Sequence, residues 1–349
     1  MINVGIVGLG FMGMIHYLSY QRIPGIRVAA ICELDEKRLT GDWTDIRGNF
    51  GPPGTQMDLA GINTTTRLED LLSDEQLDLI DVTLPPALHK ASTVAALAAG
   101  KHVFCEKPMS LKLGDCDEMA AAAESHHRQL FVGHVLPFFP EYAWALQVVS
   151  SGTYGAIRGG AFRRVISDPA WLKNFWIADQ VGGPLMDLHV HDAHFIRLLF
   201  GMPQGVSSRG RLRQGLPEFW HSQFDYGATG PTVVATSGTI DQQGRPFNHG
   251  FEIHLEQATL LFEFAVVGDA PSYLCPPTIL HANGEVQRVE LGGGDPIDAF
   301  EAELREVAEC VREKRSSDVL NSQLARDAVQ LCEMQAHSLA ASRTQPPAG

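Results

Sequence analysis

The first third of the chain alternates short apolar runs with longer amphipathic stretches. The runs at 2–7, 27–32, 62–65, 78–84, 102–105 and 129–133 have strand length. The stretches at 11–22, 67–73, 87–99 and 114–127 have helical length and spacing. Turn residues punctuate them: Pro24-Gly25 follows the first helix and Gly100 the third. Thr66 followed by Glu69 predicts a capping box opening the second helix. Strand–helix alternation with short connections predicts a doubly wound parallel sheet with helices on both faces. Residues 40–61 are rich in glycine and proline and read as a long surface loop.

From about residue 135 the pattern changes. A helix at 140–151 and another at 184–200 precede β runs at 205–213, 219–226, 232–241, 248–256, 259–266 and 286–291. Strands without intervening helices predict a mostly antiparallel sheet, hence a second domain of α+β type. Helices at 297–313 and 321–342 close the chain. The expected division is a dinucleotide-binding domain over 1–127, a substrate and oligomerisation domain over 128–342, and a frayed tail at 343–349. A sheet with two covering helices has one face left over. The run "ATLLFEFAVV" is too apolar to stay wet there, so a homo-oligomer, dimer or tetramer, is expected.

Composition narrows the function classes. The chain has 349 residues, 44% hydrophobic and 19% charged, with a formal net charge of −14. That excess of acid opposes nonspecific binding to nucleic acid. No run of 18 apolar residues is present, so no membrane helix is expected. A first strand starting at Ile2 leaves no room for a signal segment, and a cytoplasmic protein is expected. Six cysteines occur without a C-x-x-C pair and read as reduced thiols.

The candidate chemistry begins at "INVGIVGLGFMGMIHYLSY". Gly8 allows a tight turn, Gly10 lets a pyrophosphate approach the backbone, and Gly13 lets the helix pack close to the strand. Phe11 and Met12 contribute the first amides of a helix N-terminus, which favours phosphate. Glu33, at the end of the second strand, suits the hydroxyls of an adenine ribose. A carboxylate there repels a 2′-phosphate, and Lys37 and Arg38 lie beyond the strand end, so NAD is expected over NADP. Strand carboxyl ends form the ligand crevice of such a sheet. They bring Thr83 and Pro85 into play, with His89 either on the surface or close to the cofactor. Glu106-Lys107-Pro108 ends another strand, with Lys107 fixed by the following proline. Further on, Asp187, His191 and His194 are spaced i, i+4, i+7 and share one helix face. A carboxylate one turn from an imidazole makes a proton-handling pair. The spacing also admits a metal site or a structural cluster, but no further ligand is evident and no metal is expected. Trp171 and Trp176 wall a substrate pocket or pack between elements. Arg209, Arg211 and Arg213 alternate on one strand face and read as an exposed polar edge or subunit contact rather than an anion pocket.

These stretches together resemble the family of glucose–fructose oxidoreductase, inositol dehydrogenase and rhizopine-catabolism oxidoreductases. The match runs from "GIVGLGFMGMIHYLSY" through "DVTLPPALHKA", "GKHVFCEKPMSL" and "GGPLMDLHVHDAHFIRLLFG" to "GGDPIDAFEAELREVAECV". The most specific part is Glu-Lys-Pro followed by a G-G-x-x-x-D-x-x-x-H helix. The resemblance implies a Rossmann domain followed by an α+β domain with an open-faced sheet, whose free face commonly joins subunits, and an active site between the domains. It places Lys107, Asp187 and His191 at the catalytic positions, with a polyhydroxylated small molecule as substrate. His189, His194 and Pro137 depart from the usual pattern. Three activities stay open: a dehydrogenase of a sugar, cyclitol or related polyol; a glycosidase using NAD for transient oxidation and elimination; and a non-catalytic nicotinamide sensor.

Overall fold

The computed structural model describes residues 1–344 except 171, 173 and 293. Its contacts divide the chain into two units. The first comprises 1–139 and 293–326, and the second 140–292 and 327 onward.

In the first unit, β1 (Ile2–Val7) leads through α1 (Phe11–Tyr20) to β2 (Ile26–Cys32). A short α2 (Glu36–Leu39) precedes β3 (Asn63–Thr65), α3 (Leu68–Leu72) and β4 (Leu79–Val82). Then come α4 (His89–Ala98), β5 (His102–Glu106), α5 (Leu113–Ser125) and β6 (Leu130–Gly133). The six strands form one parallel sheet in the order β3-β2-β1-β4-β5-β6. This is the doubly wound order, with its switch point between β1 and β4. The capping box does not form. Arg67 is the N-cap of α3, and the Thr65 hydroxyl bonds Asp70 instead. Residues 40–61 are more than a surface loop. Trp43 is wholly buried, with its ring edge-on to Tyr17 and its indole N–H donated to the Arg38 carbonyl at 2.9 Å. Phe50 stacks on Phe300.

The second unit begins with α6 (Pro140–Ser150) and β7 (Ile157–Ser167), and α7 (Val190–Phe200) follows a wide turn at 185–189. The strands β8 (Gly205–Arg213), β9 (Leu216–Asp225), β10 (Thr232–Ile240), β11 (Phe247–Leu255), β12 (Ala258–Val267), β13 (Ala270–His281) and β14 (Val286–Arg288) complete its sheet. The order is β14-β13-β12-β11-β7-β10-β9-β8, antiparallel except where β7 meets β10. Tyr142 and Phe195, from the helices, pack against Phe251 on one face. The run at 258–267 divides by alternation: Leu260 and Phe262 are buried, whereas Leu261 and Glu263 keep part of their surface.

Two helices close the chain, α8 (Ile297–Glu313) and α9 (Ser322–Thr344). α8 differs from its expected place. It belongs to the first unit, where Phe300, Leu304 and Val307 join the core that holds Tyr17 and Tyr20 of α1. An expected boundary at 127/128 therefore becomes one at 139/140, and 293–326 returns to the first unit. α9 begins in the first unit and continues in the second from Asp327. It runs through 343–344, where a frayed tail was expected, and 345–349 lie outside the described residues.

Candidate active site

Three glycines shape the β1–α1 turn, each for a different reason. Gly8 has φ +93°, and a Cβ there would fall 2.9 Å from Leu84 and 3.0 Å from the Thr83 carbonyl. A Cβ on Gly13 would lie 2.2 Å from the Gly8 carbonyl oxygen. Nothing lies within 4 Å of a Cβ built on Gly10, so the backbone there faces open space. Gly10 caps α1 without a side-chain oxygen on the helix amides. Thr83 secures the turn, its hydroxyl donating to the Gly8 carbonyl at 2.6 Å. Phe11 directs its ring to Phe50, and Met12 packs against the core. A turn of this kind presents N–H groups and the positive end of the helix dipole to an anion.

Glu33 closes over the same turn. Its Oε2 accepts the Leu9 N–H at 2.5 Å, and its Oε1 accepts those of Leu34 and Asp35 at 2.7 Å and 3.0 Å. Arg38 does more than solvate α2. It donates to the Leu9 carbonyl at 3.0 Å and to Asp45 at 3.0 Å, with Asp35 at 3.6 Å. The Arg38 guanidinium thus stands between the carboxylates of Asp35 and Asp45.

At the ends of β4 and β5, Pro85 is exposed and leads into a short turn over Pro86–Leu88. His89 is wholly buried. Its Nδ1 lies 2.8 Å from the Pro108 carbonyl and its Nε2 2.7 Å from that of Leu84. It is neither a surface residue nor open to a ligand, and burial pushes its pKa down. Glu106 ends β5 almost fully buried, and Lys107, joined to Pro108 by a cis peptide, is partly exposed.

In the second unit, Gly182 and Gly183 adopt φ of +81° and +65° before the helical segment. The expected regular helix from 184 instead opens with a π turn over Leu185–His189, a local widening often found at functional sites. Two buried anchors hold the C-terminal end of the widening. His189 donates from Nδ1 to Ser237 Oγ at 2.7 Å and accepts from Gln335 at Nε2, 2.9 Å away. Burial, then the charge of Arg164, hold its pKa down to about 3, so the ring is neutral. Asp192 pairs with Arg164 at 2.6 Å and 3.2 Å, both buried. Asp187 and His191 keep part of their surface, whereas His194 has none. Of the departures noted above, His189 is therefore a core strut, and Pro137 is buried in a short turn over Leu136–Phe138 of the first unit.

Trp171 lies outside the described residues. Trp176 donates to Asp168 and is covered by Arg213, 4.5 Å from the ring centre. Arg213 also pairs with Asp168, and Arg211 pairs with Glu218. A bulge between Arg211 and Leu212 breaks the alternation that had placed the three arginines on one face.

Sequence reasoning passed over His16, Asp81 and Gln335. The first two carried a signal: each is an ionisable residue in a largely apolar element, "FMGMIHYLSY" and "LIDV". Gln335 gave none.

A Rossmann unit with a glycine-lined helix start, joined to a unit with a large, mostly antiparallel sheet, defines a dinucleotide-binding oxidoreductase class. Residues 2–134 match the oxidoreductase family with NAD-binding Rossmann fold, and 142–261 match the GFO/IDH/MocA C-terminal domain. The chain belongs to the Gfo/Idh/MocA oxidoreductase family. It is 28% identical to myo-inositol 2-dehydrogenase of Thermotoga maritima, over 57% of this chain and 55% of that protein. It is 27% identical to 2,7-anhydro-N-acetylneuraminate hydratase of Mediterraneibacter gnavus, over 60% and 52%. The chain spans about half the length of the curated relatives it matches. An oxidoreductase from Agrobacterium radiobacter, solved with NAD+, L-tartaric acid and magnesium, shares the fold with a TM-score of 0.80 at 17% identity, over 98% of this chain and 97% of that one.

Proposed function

We propose that this protein is an NAD-dependent dehydrogenase acting on a secondary alcohol of a sugar, cyclitol or related polyol. The observation that carries the cofactor is the turn at Gly8, Gly10 and Gly13 with Glu33 closed over it. The open space at Gly10 takes a pyrophosphate against the α1 amides. Glu33 receives the ribose hydroxyls. With Glu33 on the turn and Asp35 and Asp45 beside Arg38, the turn disfavours a 2′-phosphate, which supports NAD over NADP.

A nicotinamide held at this turn would supply the acceptor for the hydride of the carbinol carbon. Lys107 places its ammonium at the substrate oxygen and stabilises the negative charge that develops there. His191 accepts the hydroxyl proton, and Asp187 orients the imidazole. His194, one turn further along the helix, is wholly buried. The free face of the second unit's sheet pairs with a second copy of the chain.

A screen of myo-inositol, D-glucose and other polyols with NAD+ tests the reading through NADH formation. Lys107→Ala and His191→Ala are expected to lower kcat about 10²–10⁴-fold with little change in NAD+ affinity. Glu33→Ala is expected to weaken NAD+ and relatively favour NADP+. Tighter binding of NADP+ by the parent protein would overturn the ribose assignment. The hydratase relative favours a second reading, transient oxidation followed by elimination. It requires product formation from an anhydro-sugar or aryl glycoside with no net NADH.

A further inference from the structure

The core of the first unit holds a set of charges that the reaction above does not use. His16 on α1 has Nδ1 2.9 Å and 3.2 Å from the two oxygens of Asp81 on β4. Its Nε2 is 3.1 Å from Glu106 Oε1, at the end of β5, an ion-pair contact. His16 and Asp81 are wholly buried and Glu106 nearly so. A neutral imidazole has one N–H and one lone pair. Between two carboxylates, that lone pair would face a negative oxygen, so the arrangement calls for a proton on both nitrogens. Burial alone would strip the charge, but Asp81 and Glu106 outweigh it and lift the ring to about 10.

Two further groups face the cluster. Tyr20, buried on the same helix, is pushed up by burial and then by Asp81. Glu303 of α8 is wholly buried, and neither of its oxygens has a hydrogen-bond partner among the described residues. Burial first, then the charge of Glu106, raise its pKa well above the usual range, so it stays neutral. The rings of Phe104 and Phe300 flank His16. His16 is thus the cation that Asp81 and Glu106 share.

The second oxygen of Glu106 is committed to the chain that follows. Oε2 accepts the backbone N–H of Lys107 at 2.9 Å. Gly133 on β6 leaves room for the carboxylate, since a Cβ there would come within 3.2 Å of Oε1. A hydrogen bond to a charged acceptor is about twice as strong as a neutral one. From the other side, His89 reaches the Pro108 carbonyl. Lys107 therefore sits in a segment held before and after it.

We propose that Glu106, held at one oxygen by the His16 ring and bonded at the other to the Lys107 N–H, is a positioning residue that fixes the Lys107 backbone and so aims the Lys107 ammonium at the substrate oxygen. The proposal rests on the role given to Lys107 above. Nitrogen-15 NMR of the histidine rings tests the charge, with His16→Gln assigning the signal. The parent protein is expected to show one ring doubly protonated at about pH 9, well above the ordinary histidine value. Glu106→Gln is expected to lower that titration by more than one unit and to move the Lys107 amide proton upfield. With the polyol that gave most NADH, it is expected to lower kcat about 10²-fold at unchanged NAD+ affinity, the scale of a small misplacement of a reacting group. Asp81→Asn leaves Glu106 in place. If Glu106→Gln folds poorly, this variant carries the test, with the same direction of shift at His16 and a smaller loss of kcat. A neutral His16 in the parent at about pH 7, or parent kcat in a folded Glu106→Gln, overturns the proposal. Parent turnover in Lys107→Ala would instead remove Lys107 from the reaction, while the His16 and Lys107 amide signals still report on the relay.

Discussion

His189 and His16 are both buried histidines, yet their surroundings drive them to opposite charge states. His189 meets a serine and a glutamine and is neutral, with its pKa held down to about 3. It binds a proton only in the unfolded chain between that value and about 6.5, so its contribution is present above about pH 6.5 and is lost as pH falls. His16 has the reverse sign. Its pKa is raised to about 10, so its contribution is full below about pH 6.5 and is lost as pH rises through that folded value. His89 and His249, both lowered by burial, add to the acid limb. Denaturant midpoints should therefore fall as pH drops from about 7 to about 4.5. His189→Asn should make that fall shallower, by up to one proton's worth, about 1.4 kcal/mol per pH unit. An unchanged acid slope would mean that His189 is charged in the folded protein. Neither state was legible in the sequence, because a histidine's charge is set by partners that are distant along the chain: Ser237 and Gln335 for one, Asp81 and Glu106 for the other. The glycine spacing and Glu33 stood out in the sequence because the motif that marks them lies within the first 33 positions, although Thr83 and Leu84, which secure the turn, lie far along the chain.

The elements that were missed have sequence features that mimic loops. β7 begins "IRGGAFRR", where paired glycines and arginines mask the alternation, although it is a central strand. β13 contains Pro271, Pro276 and Pro277, residues that normally argue against a strand. Pro276 and Pro277 fall where register shifts interrupt its pairing with β12, and Pro271 lies near the start of the strand. Residues 40–61 misled in a related way. Their glycines and prolines report a lack of regular structure, which is correct for most of the segment, but say nothing of burial. Trp43 carries the consequence. Removing its ring leaves a cavity beside Tyr17 and orphans the Arg38 carbonyl it serves. Trp43→Ala should destabilise the first unit by about 3–5 kcal/mol, read as a shift in its urea midpoint. A loss under about 1 kcal/mol would show that the segment folds apart from α1.

The whole molecule raises two matters of assembly. The free face of the second sheet carries Arg163, His221, Glu252 and Glu263 beside Val234 and Leu261, a mixture rather than an apolar plate. Near its edge, Tyr273 and Leu274 are about half exposed. A second copy docked on this face, as proposed above, would meet both charges and apolar positions. Light scattering at micromolar concentration should give at least twice the 38.1 kDa of one chain. A clean single-chain mass would mean that the face is wet and the mixture only a surface. The other matter concerns the order of events in a cell. The first unit takes back residues 293–326 after the chain has built most of the second. At roughly 5–20 residues per second of synthesis, that segment emerges some ten to forty seconds after Phe139. Until then α1 has no Phe300, Leu304 or Val307 against it, and its apolar stripe stands open on the ribosome. The last stretch of polypeptide to join the Rossmann half, not the first, therefore determines when its charged core closes.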